Sequence, residues 1–165
     1  MIETKRLFLR ELAPSDDAAV AAMFADPDVM RYVGSGRTLG LEDAQRMIER
    51  ERKYYADRGW GQWATVERAT GRMVGVCGLI AWPNIDGAEE LEIAYLFAKA
   101  VWGKGYGTEI ATVIREQALG IRPDPISLIY PDNTASIAIA LAIGMVHEKD
   151  ISSEGTTVGL YRYKA

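Results

Sequence analysis

The sequence predicts a mixed α/β (α+β) fold, a partly antiparallel sheet with helices, in one domain over residues 1–165. Three observations favour it. Apolar residues alternate with strand period in some segments and recur with helical period in others. Two strand-like segments are separated by only five residues that include Gly71, which indicates an antiparallel hairpin. No repeat, linker or low-complexity tract divides the chain.

The N-terminal part is predicted to form one strand and then two helices. Residues 4–12 alternate in their second half, as is typical of a strand. Residues 14–17 (PSDD) supply an N-cap signal for a short alanine-rich helix that ends near Asp26 and Pro27. Residues 42–58 place apolar side chains at helical spacing, and Gly59 ends this helix.

The remaining chain is predicted to add five strands and two helices. The expected strands are residues 61–67, 73–82, 89–97, 126–130 and 157–163, with a turn at 83–87. The first of the two helices runs to about Leu119 and stops at Gly120, and the second spans residues 133–143 and ends at Gly144.

Composition excludes several classes of function. The chain has 19 Lys and Arg against 23 Asp and Glu, a net charge of −4, which argues against a nucleic-acid footprint and mildly favours a cationic partner such as an amine. The single Cys77 rules out an internal disulfide and a multi-cysteine zinc site, so no metal is expected. No apolar run reaches the length of a bilayer, and the N-terminus does not resemble a signal peptide. We therefore expect a cytoplasmic protein without a membrane partner.

A glycine-rich turn lies between a predicted strand and a predicted helix. Its members are Gly103, Lys104, Gly105, Tyr106, Gly107 and Thr108. Glycines let the backbone approach a ligand closely, and free N–H groups at a helix start favour a phosphate or pyrophosphate. The alternative is a tight turn without a ligand. A Walker loop is excluded because Gly105 follows Lys104, and the dinucleotide fingerprint is excluded because Thr108 occupies its third glycine position.

Four segments, in order, carry a resemblance to a known family. They are TKRLFLREL, DPDVMRYV, ELEIAYLFAKAVWGKGYGTE and YPDNTASIAIALAIGM. In these segments the chain resembles the GCN5-related N-acetyltransferases (GNAT), in particular the branch that acetylates ribosomal-protein N-termini. The resemblance covers nearly the whole chain. It implies a mostly antiparallel sheet flanked by helices, with a splayed central strand pair, and acetyl-CoA as co-substrate.

The resemblance also implies which residues bind acetyl-CoA. The backbone of Leu96, Phe97 and Ala98 would pair with the pantetheine arm, as a strand splayed from its neighbour exposes unpaired groups. The amides of residues 103–108 would hold the pyrophosphate. Asn133 and Ser136 would reach the pantetheine or the thioester. The alternative for Asn133 is a helix cap, and both roles are compatible.

Two features depart from the family pattern. Trp102 stands where the family's loop often begins with Arg or Gln, a change that the ribosomal-protein branch tolerates. Residues 134–146 carry no charge, so the helix there is apolar all round and lacks the basic residues of its relatives. This puts any phosphate contact from that helix in doubt. It also suggests a homodimer in which a second subunit covers the helix.

Transfer of acetyl to an amine requires a base, stabilisation of an oxyanion and, in some enzymes, an acid. By strand alternation Glu90 and Glu92 share a face and Tyr95 points to the other. Glu92 matches the acidic position of the family's fourth strand and is the candidate general base, acting through a water; a solvated strand carboxylate is the alternative. Glu148 and Glu154 are fallback bases.

The acid is less determined by the sequence. The family's tyrosine in the helix after Asn133 is missing, so Ser136 is the first candidate and Tyr130 the second, with solvent as a third source of the proton. The N–H of Phe97 would serve the oxyanion. We expect Cys77 to be a buried structural thiol, and His147 to be structural or on the surface.

The acceptor stays open at this level. A protein N-terminus and a small amine, such as a polyamine or aminoglycoside, are both compatible with the sequence. A non-catalytic acyl-CoA-binding regulator is a rival from another class, favoured by the missing tyrosine and disfavoured by Glu92, Asn133 and Ser136. A purely structural role would leave the glycine-rich turn unexplained.

Overall fold

The computed structural model describes residues 1–153 and 155–164 and contains one eight-stranded sheet. Its strands are β1 (Ile2–Glu3), β2 (Leu7–Arg10), β3 (Gln62–Glu67), β4 (Met73–Ile85), β5 (Ala88–Phe97), β6 (Ile126–Ile129), β7 (Met145–Ser153) and β8 (Thr156–Tyr163). The spatial order is β1-β2-β3-β4-β5-β6-β8-β7. Every neighbouring pair is antiparallel except β5 and β6, which are parallel. The predicted fold class, mixed and mostly antiparallel, is confirmed.

Helices cover both faces of the sheet. They are α1 (Asp17–Phe24), α2 (Pro27–Met30), α3 (Leu41–Arg58), α4 (Tyr106–Leu119) and α5 (Thr134–Ala142). On one face α4 inserts Ile110 and Ile114 against Leu7 and Ile93 of the sheet. On the other face α1 and α3 pack with Val76 in a second cluster. Among the described residues, no helix combines the length and apolar character needed to cross a membrane.

The central strands β5 and β6 separate soon after they meet. β4 pairs with β5 along its length, from Gly75 opposite Phe97 to Ile85 opposite Ala88. The ladder between β5 and β6, in contrast, contains the single pair Glu92 and Ile126. Residues 90–93 of β5 are buried, whereas residues 94–97 are only half-buried. The predicted splayed strand pair is therefore present, and it leaves an opening beside the C-terminal half of β5.

Four features differ from the prediction. The strand predicted over residues 4–12 is shorter, as β2, and β1 (Ile2–Glu3) was not predicted. β7 was not predicted as a strand, because as an edge strand it is mostly polar and exposed and shows little alternation. The short helix α2 was also not predicted. The predicted turn at 83–87 is shorter, because Asp86 and Gly87 both have positive φ (50° and 89°), as a type I′ hairpin requires, so β4 and β5 extend to meet it.

Candidate active site

The opening between β5 and β6 is lined by backbone groups of β5. The N–H of Ala98 donates to Val74 O at 2.9 Å, so the backbone of Ala98 is directed towards β4. Hydrogen-bonded residues alternate along an antiparallel pair, so Leu96 has the same orientation while Tyr95 and Phe97 direct their N–H and C=O away from β4. The groups available to a ligand therefore belong to Tyr95 and Phe97. Leu96, predicted to pair with pantetheine, directs its backbone to β4 instead. Ala98, also predicted, donates its N–H to β4, and its carbonyl accepts from Val101 N at 3.1 Å.

Contacts further along β5 agree with this register. Ile93 O, on the same side as Tyr95, accepts a hydrogen bond from Ser127 Oγ of β6 at 2.8 Å. Beyond this point β6 diverges. The Phe97 carbonyl accepts a hydrogen bond from Trp102 Nε1 at 2.9 Å. This leaves the N–H and C=O of Tyr95 and the N–H of Phe97 facing the opening.

The glycine-rich turn ends at the first turn of α4. Gly103 and Gly105 both have φ near +75°, a conformation that side chains rarely adopt, so glycine is favoured at both positions. The first i to i−4 hydrogen bond of the helix joins Glu109 N to Gly105 O at 3.3 Å. Within the described chain, the amides of residues 105–108 have no acceptor. Four free N–H groups at a helix start form a cradle for an anion.

Arg6, which immediately precedes β2, supports this turn, although no local pattern in the sequence singles it out. Its guanidinium donates to Lys104 O at 2.7 Å and pairs with Glu109 at 2.7 Å. It also lies over the ring of Tyr106, 4.7 Å from the ring centre, and Thr4 Oγ1 donates to the same Glu109 at 2.6 Å. These contacts hold the carbonyl side of the turn, so its amides remain free. The signal was present in the TKRL segment, but nothing local connects it to a turn about a hundred residues away.

Two side chains of the turn are directed towards Glu67 on β3. The hydroxyl of Tyr106 donates to Glu67 at 2.6 Å, and Lys104 Nζ lies 3.4 Å from the same oxygen. The Tyr106 hydrogen bond is the main reason why the pKa of Glu67 is lowered to about 2. The Lys104 and Tyr106 side chains thus anchor the turn, and their backbone is the part available to a ligand.

The start of α5 adjoins the opening. Asn133 caps the helix, with Oδ1 accepting from Ser136 N at 3.2 Å, so the cap interpretation is confirmed. Tyr95 OH donates to Ser136 O at 3.2 Å and ties the splayed strand to the helix. The close approach of α4 to α5 depends on Gly107, where a Cβ would lie 2.5 Å from Ile139 Cδ1. Ser136, whose N–H is capped by Asn133, therefore lies beside β5, while α5 approaches the start of α4 at Ile139.

Glu92 lies at the point where β5 and β6 separate, and only 8% of it is exposed. One carboxylate oxygen accepts from Trp82 Nε1 at 2.7 Å and the other from Leu128 N at 3.2 Å. Burial raises the pKa of Glu92 to about 7, and the two hydrogen bonds act against that rise. A carboxyl group with this pKa is suited to accept a proton near neutral pH.

The other predicted acids and bases lie in different surroundings. Glu148 pairs with Arg162 at 2.9 Å, and this hydrogen bond lowers the pKa of Glu148, which disfavours it as a base. Glu154 lies outside the described residues. Tyr130, the second acid candidate, donates to Gly34 O and packs against Tyr32.

Cys77 and His147 have the surroundings expected from the sequence. Cys77 is fully buried, and burial raises the pKa of its thiol to about 12, so the thiol is not ionised. His147 is exposed and contacts Asp150 at 2.8 Å. Cys77 is therefore a buried structural thiol, as predicted.

Comparison with known proteins identifies similar chains. Residues 6–146 match the family described as acetyltransferase (GNAT) domain. The protein YkkB of Bacillus subtilis is 32% identical, over 98% of this chain and 94% of its own length. The crystal structure of an acetyltransferase from Agrobacterium tumefaciens is 26% identical, with a TM-score of 0.83, over 99% of this chain and 94% of that one. RimL, a ribosomal alpha-N-protein acetyltransferase solved with coenzyme A, is similar in fold (TM-score 0.77, 16% identity, 96% and 94% covered).

Proposed function

The chain belongs to the acetyltransferase (GNAT) domain family and is an acetyl-CoA-dependent N-acetyltransferase, and we propose that it acetylates a primary amine in the opening between β5 and β6. Its acceptor class is a protein or peptide N-terminus.

The observation that carries the proposal is the combination of two sets of free backbone groups. Tyr95 offers its N–H and C=O for strand-type hydrogen bonds along β5, which suits the amides of an extended pantetheine arm. The amides of residues 105–108 lie in the turn that follows and suit a pyrophosphate. The open space around Gly103, where a Cβ would meet nothing within 4 Å, leaves room for that group. The residues present therefore fit acetyl-CoA.

Each catalytic role falls to a named group of this chain. Acetyl-CoA supplies an activated thioester carbonyl. Glu92 takes the proton of the acceptor ammonium through a water, so that the amine nitrogen can form its bond to the carbonyl carbon. The N–H of Phe97 donates a hydrogen bond to the carbonyl oxygen as it gains charge. Ser136 gives a proton to the thiolate that leaves, and Asn133 holds the start of α5 in place for it.

The aromatic groups and paired charges at the end of β6 favour an acceptor that carries a single amine. The loop after α2 is attached there, because Tyr130 donates to Gly34 O and Arg31 lies 3.7 Å from Asp132. Asp132 is thereby already matched with a cation, whereas Glu92, beside the opening, makes no ion pair with any residue that the structure describes. A polyamine or aminoglycoside carries several ammonium groups and would need several free carboxylates. A single N-terminal amine needs one.

The coenzyme site is tested by calorimetric titration of acetyl-CoA into the wild type, Gly105→Asp and Gly105→Asn. Asp and Asn have the same size and are among the residues that best tolerate positive φ, so they share the backbone cost and differ in charge. We expect Gly105→Asp to bind at least about tenfold more weakly than Gly105→Asn, because a carboxylate within a few ångströms of a pyrophosphate costs about 1 to 4 kcal/mol.

The outcomes separate the alternatives. Equal binding by the two variants would contradict the phosphate cradle. Binding without release of free thiol from acetyl-CoA, across a screen of N-terminal peptides and small amines, would favour the non-catalytic regulator. Thiol release with peptides but not with polyamines or aminoglycosides is the result that we expect.

A further inference from the structure

The indole of Trp82 reaches diagonally across the β4–β5 hairpin to Glu92. Ile80 is the residue directly opposite Glu92, and Trp82 lies two residues further along β4 on the same face. The distance from Nε1 to the carboxylate is 2.7 Å, which is typical of a hydrogen bond to a charged group. Trp82 also packs against a cluster of buried residues that includes Ile126, so the indole has little freedom to turn away.

The second carboxylate oxygen is held from the opposite strand. Leu128 N of β6 donates to it at 3.2 Å, and Ser127 Oγ beside it bonds Ile93 O at 2.8 Å. Side chains thus supply the hydrogen bonds between β5 and β6 after their single ladder pair. Because Trp82 and Leu128 hold the two oxygens from different strands, the carboxylate of Glu92 has one defined orientation.

We propose that Trp82 is a positioning residue for acetyl transfer, its indole N–H holding the Glu92 carboxylate in the orientation from which it takes the proton of the acceptor amine. This inference rests on the proposed function, since it gives Trp82 a role only through Glu92 as the base. Trp82 itself does not exchange a proton, because an indole N–H is a donor only.

The charged groups near Glu92 are paired with other residues, so the indole is one of the main influences on the pKa of Glu92. Glu90, on the same face of β5, is neutralised by Arg162 at 2.8 Å and Arg122 at 3.3 Å. Tyr95 points to the other face, where burial raises its pKa, so it stays neutral near pH 7. Among the described residues, Glu92 makes no ion pair.

Tyr130, which immediately follows β6 and lies two positions beyond Leu128, is a further titratable residue on this side, and its hydroxyl is bonded to Gly34 O. The pKa of Glu92 is thus set by burial, which raises it, and by the hydrogen bonds from Trp82 and Leu128, which lower it. Loss of the indole N–H should therefore raise it further.

The test compares Trp82→Phe with the wild type and with Trp60→Phe as a matched control. Phenylalanine keeps an aromatic ring and removes the N–H donor. Trp60 is half-buried against the core cluster on the other face of the sheet, away from Glu92. The 13C signal of the Glu92 carboxyl, assigned with Glu92→Gln, is followed by NMR between pH 5 and 9. The indole 15N–1H signal of Trp82 is followed in the wild type, which requires no variant to fold.

We expect the wild-type indole signal to shift with a midpoint about pH 7. In Trp82→Phe the Glu92 midpoint should rise by about one pH unit, the size expected when a charged group loses a hydrogen bond of about 1.5 kcal/mol. The midpoint of the low-pH limb of kcat/KM, measured for acetyl transfer to the best amine of the screen, should move to higher pH by the same amount. Trp60→Phe should move neither.

Other results would overturn the inference. A Trp82 indole signal without a midpoint near pH 7, or a Glu92 midpoint unchanged in Trp82→Phe, would show that the indole does not hold the carboxylate. Equal loss of activity at every pH would indicate a purely structural role. If none of the amines in the screen causes the wild type to release thiol from acetyl-CoA, the proposed function fails. The two NMR titrations still decide in that case whether Trp82 holds Glu92.

Discussion

Replacement of Glu92 by glutamine should remove activity while it changes how stability depends on pH. In the folded chain burial raises the pKa of Glu92 from 4.5 to about 7. Between these values the unfolded chain releases the proton and the folded chain keeps it, so the wild type loses stability as pH rises from about 4.5 to 7. The size of this loss is roughly 3 kcal/mol. Glutamine carries no charge at any pH and does not contribute this loss.

The measurement is urea denaturation of the wild type and Glu92→Gln at pH 4.5 and pH 8. Glutamine presents an N–H to one of the two donors, Trp82 or Leu128, and this costs about 1 to 3 kcal/mol at both values of pH. The free energy of unfolding of Glu92→Gln minus that of the wild type should still increase by roughly 3 kcal/mol from pH 4.5 to pH 8. A difference that does not depend on pH would refute the reasoning.

The kinetic half of the same prediction concerns acetyl transfer. Loss of a general base lowers kcat/KM by roughly 10² to 10⁴-fold, whereas the affinity for acetyl-CoA should be unchanged in calorimetry. In the wild type kcat/KM should rise about tenfold per pH unit below pH 7 and level off above it. Activity of Glu92→Gln within tenfold of the wild type would remove Glu92 as the base.

Glu148→Gln is the matched control for both the stability measurement and the kinetic measurement. Its partner Arg162 lowers the pKa of Glu148 in the folded chain, so this carboxylate adds stability above its unfolded pKa and loses that contribution as pH falls. Glu148→Gln should therefore be less stable than the wild type at pH 8 and less affected at low pH, the opposite of Glu92→Gln. Its activity should be close to that of the wild type.

Two further predictions concern the glycine-rich turn and the oligomeric state. Arg6→Met should weaken acetyl-CoA binding about tenfold in calorimetry, because the turn loses hydrogen bonds at Lys104 O and Glu109. The control is Arg68→Met, which breaks an exposed pair with Glu3. Equal affinity in both variants would contradict a role for Arg6. Light scattering should give twice the chain mass of 18.2 kDa, and Leu141→Glu, on the exposed face of α5, should give the monomer; a monomeric wild type would remove the homodimer.

Local periodicity and turn chemistry were enough to predict most elements, and the resemblance to the GNAT family supplied the main candidates of the site. The strand that carries Glu92, the turn around Gly105 and the helix capped by Asn133 all follow from short-range rules of spacing, φ and capping. The edge strand β7 could not be predicted in this way. Its hydrogen bonds to β8 stabilise it, and its own residues show no clear period of two.

The functional geometry required the tertiary structure, because it depends on contacts between distant segments. The register of β4 on β5 decides that Tyr95 and Phe97, and not Leu96 and Ala98, turn their backbone to the opening. Alternation along one strand does not reveal which partner each N–H faces, since that depends on how the two strands are paired.

What the sequence by itself determined is the family, the order of most elements and the residue types that can do the chemistry. What only the tertiary structure decided is the state of those residues. The pKa of Glu92, the proposed base, is raised to about 7 because folding buries the carboxyl group, and the hydrogen bonds that folding brings from Trp82 and Leu128 to its two oxygens act against that rise. Arg6 contacts the glycine-rich turn because folding places the residue before β2 beside the Lys104 carbonyl, 98 residues away in the chain. Desolvation and long-range hydrogen bonds arise only when the chain is packed, so no local pattern of residues can specify them.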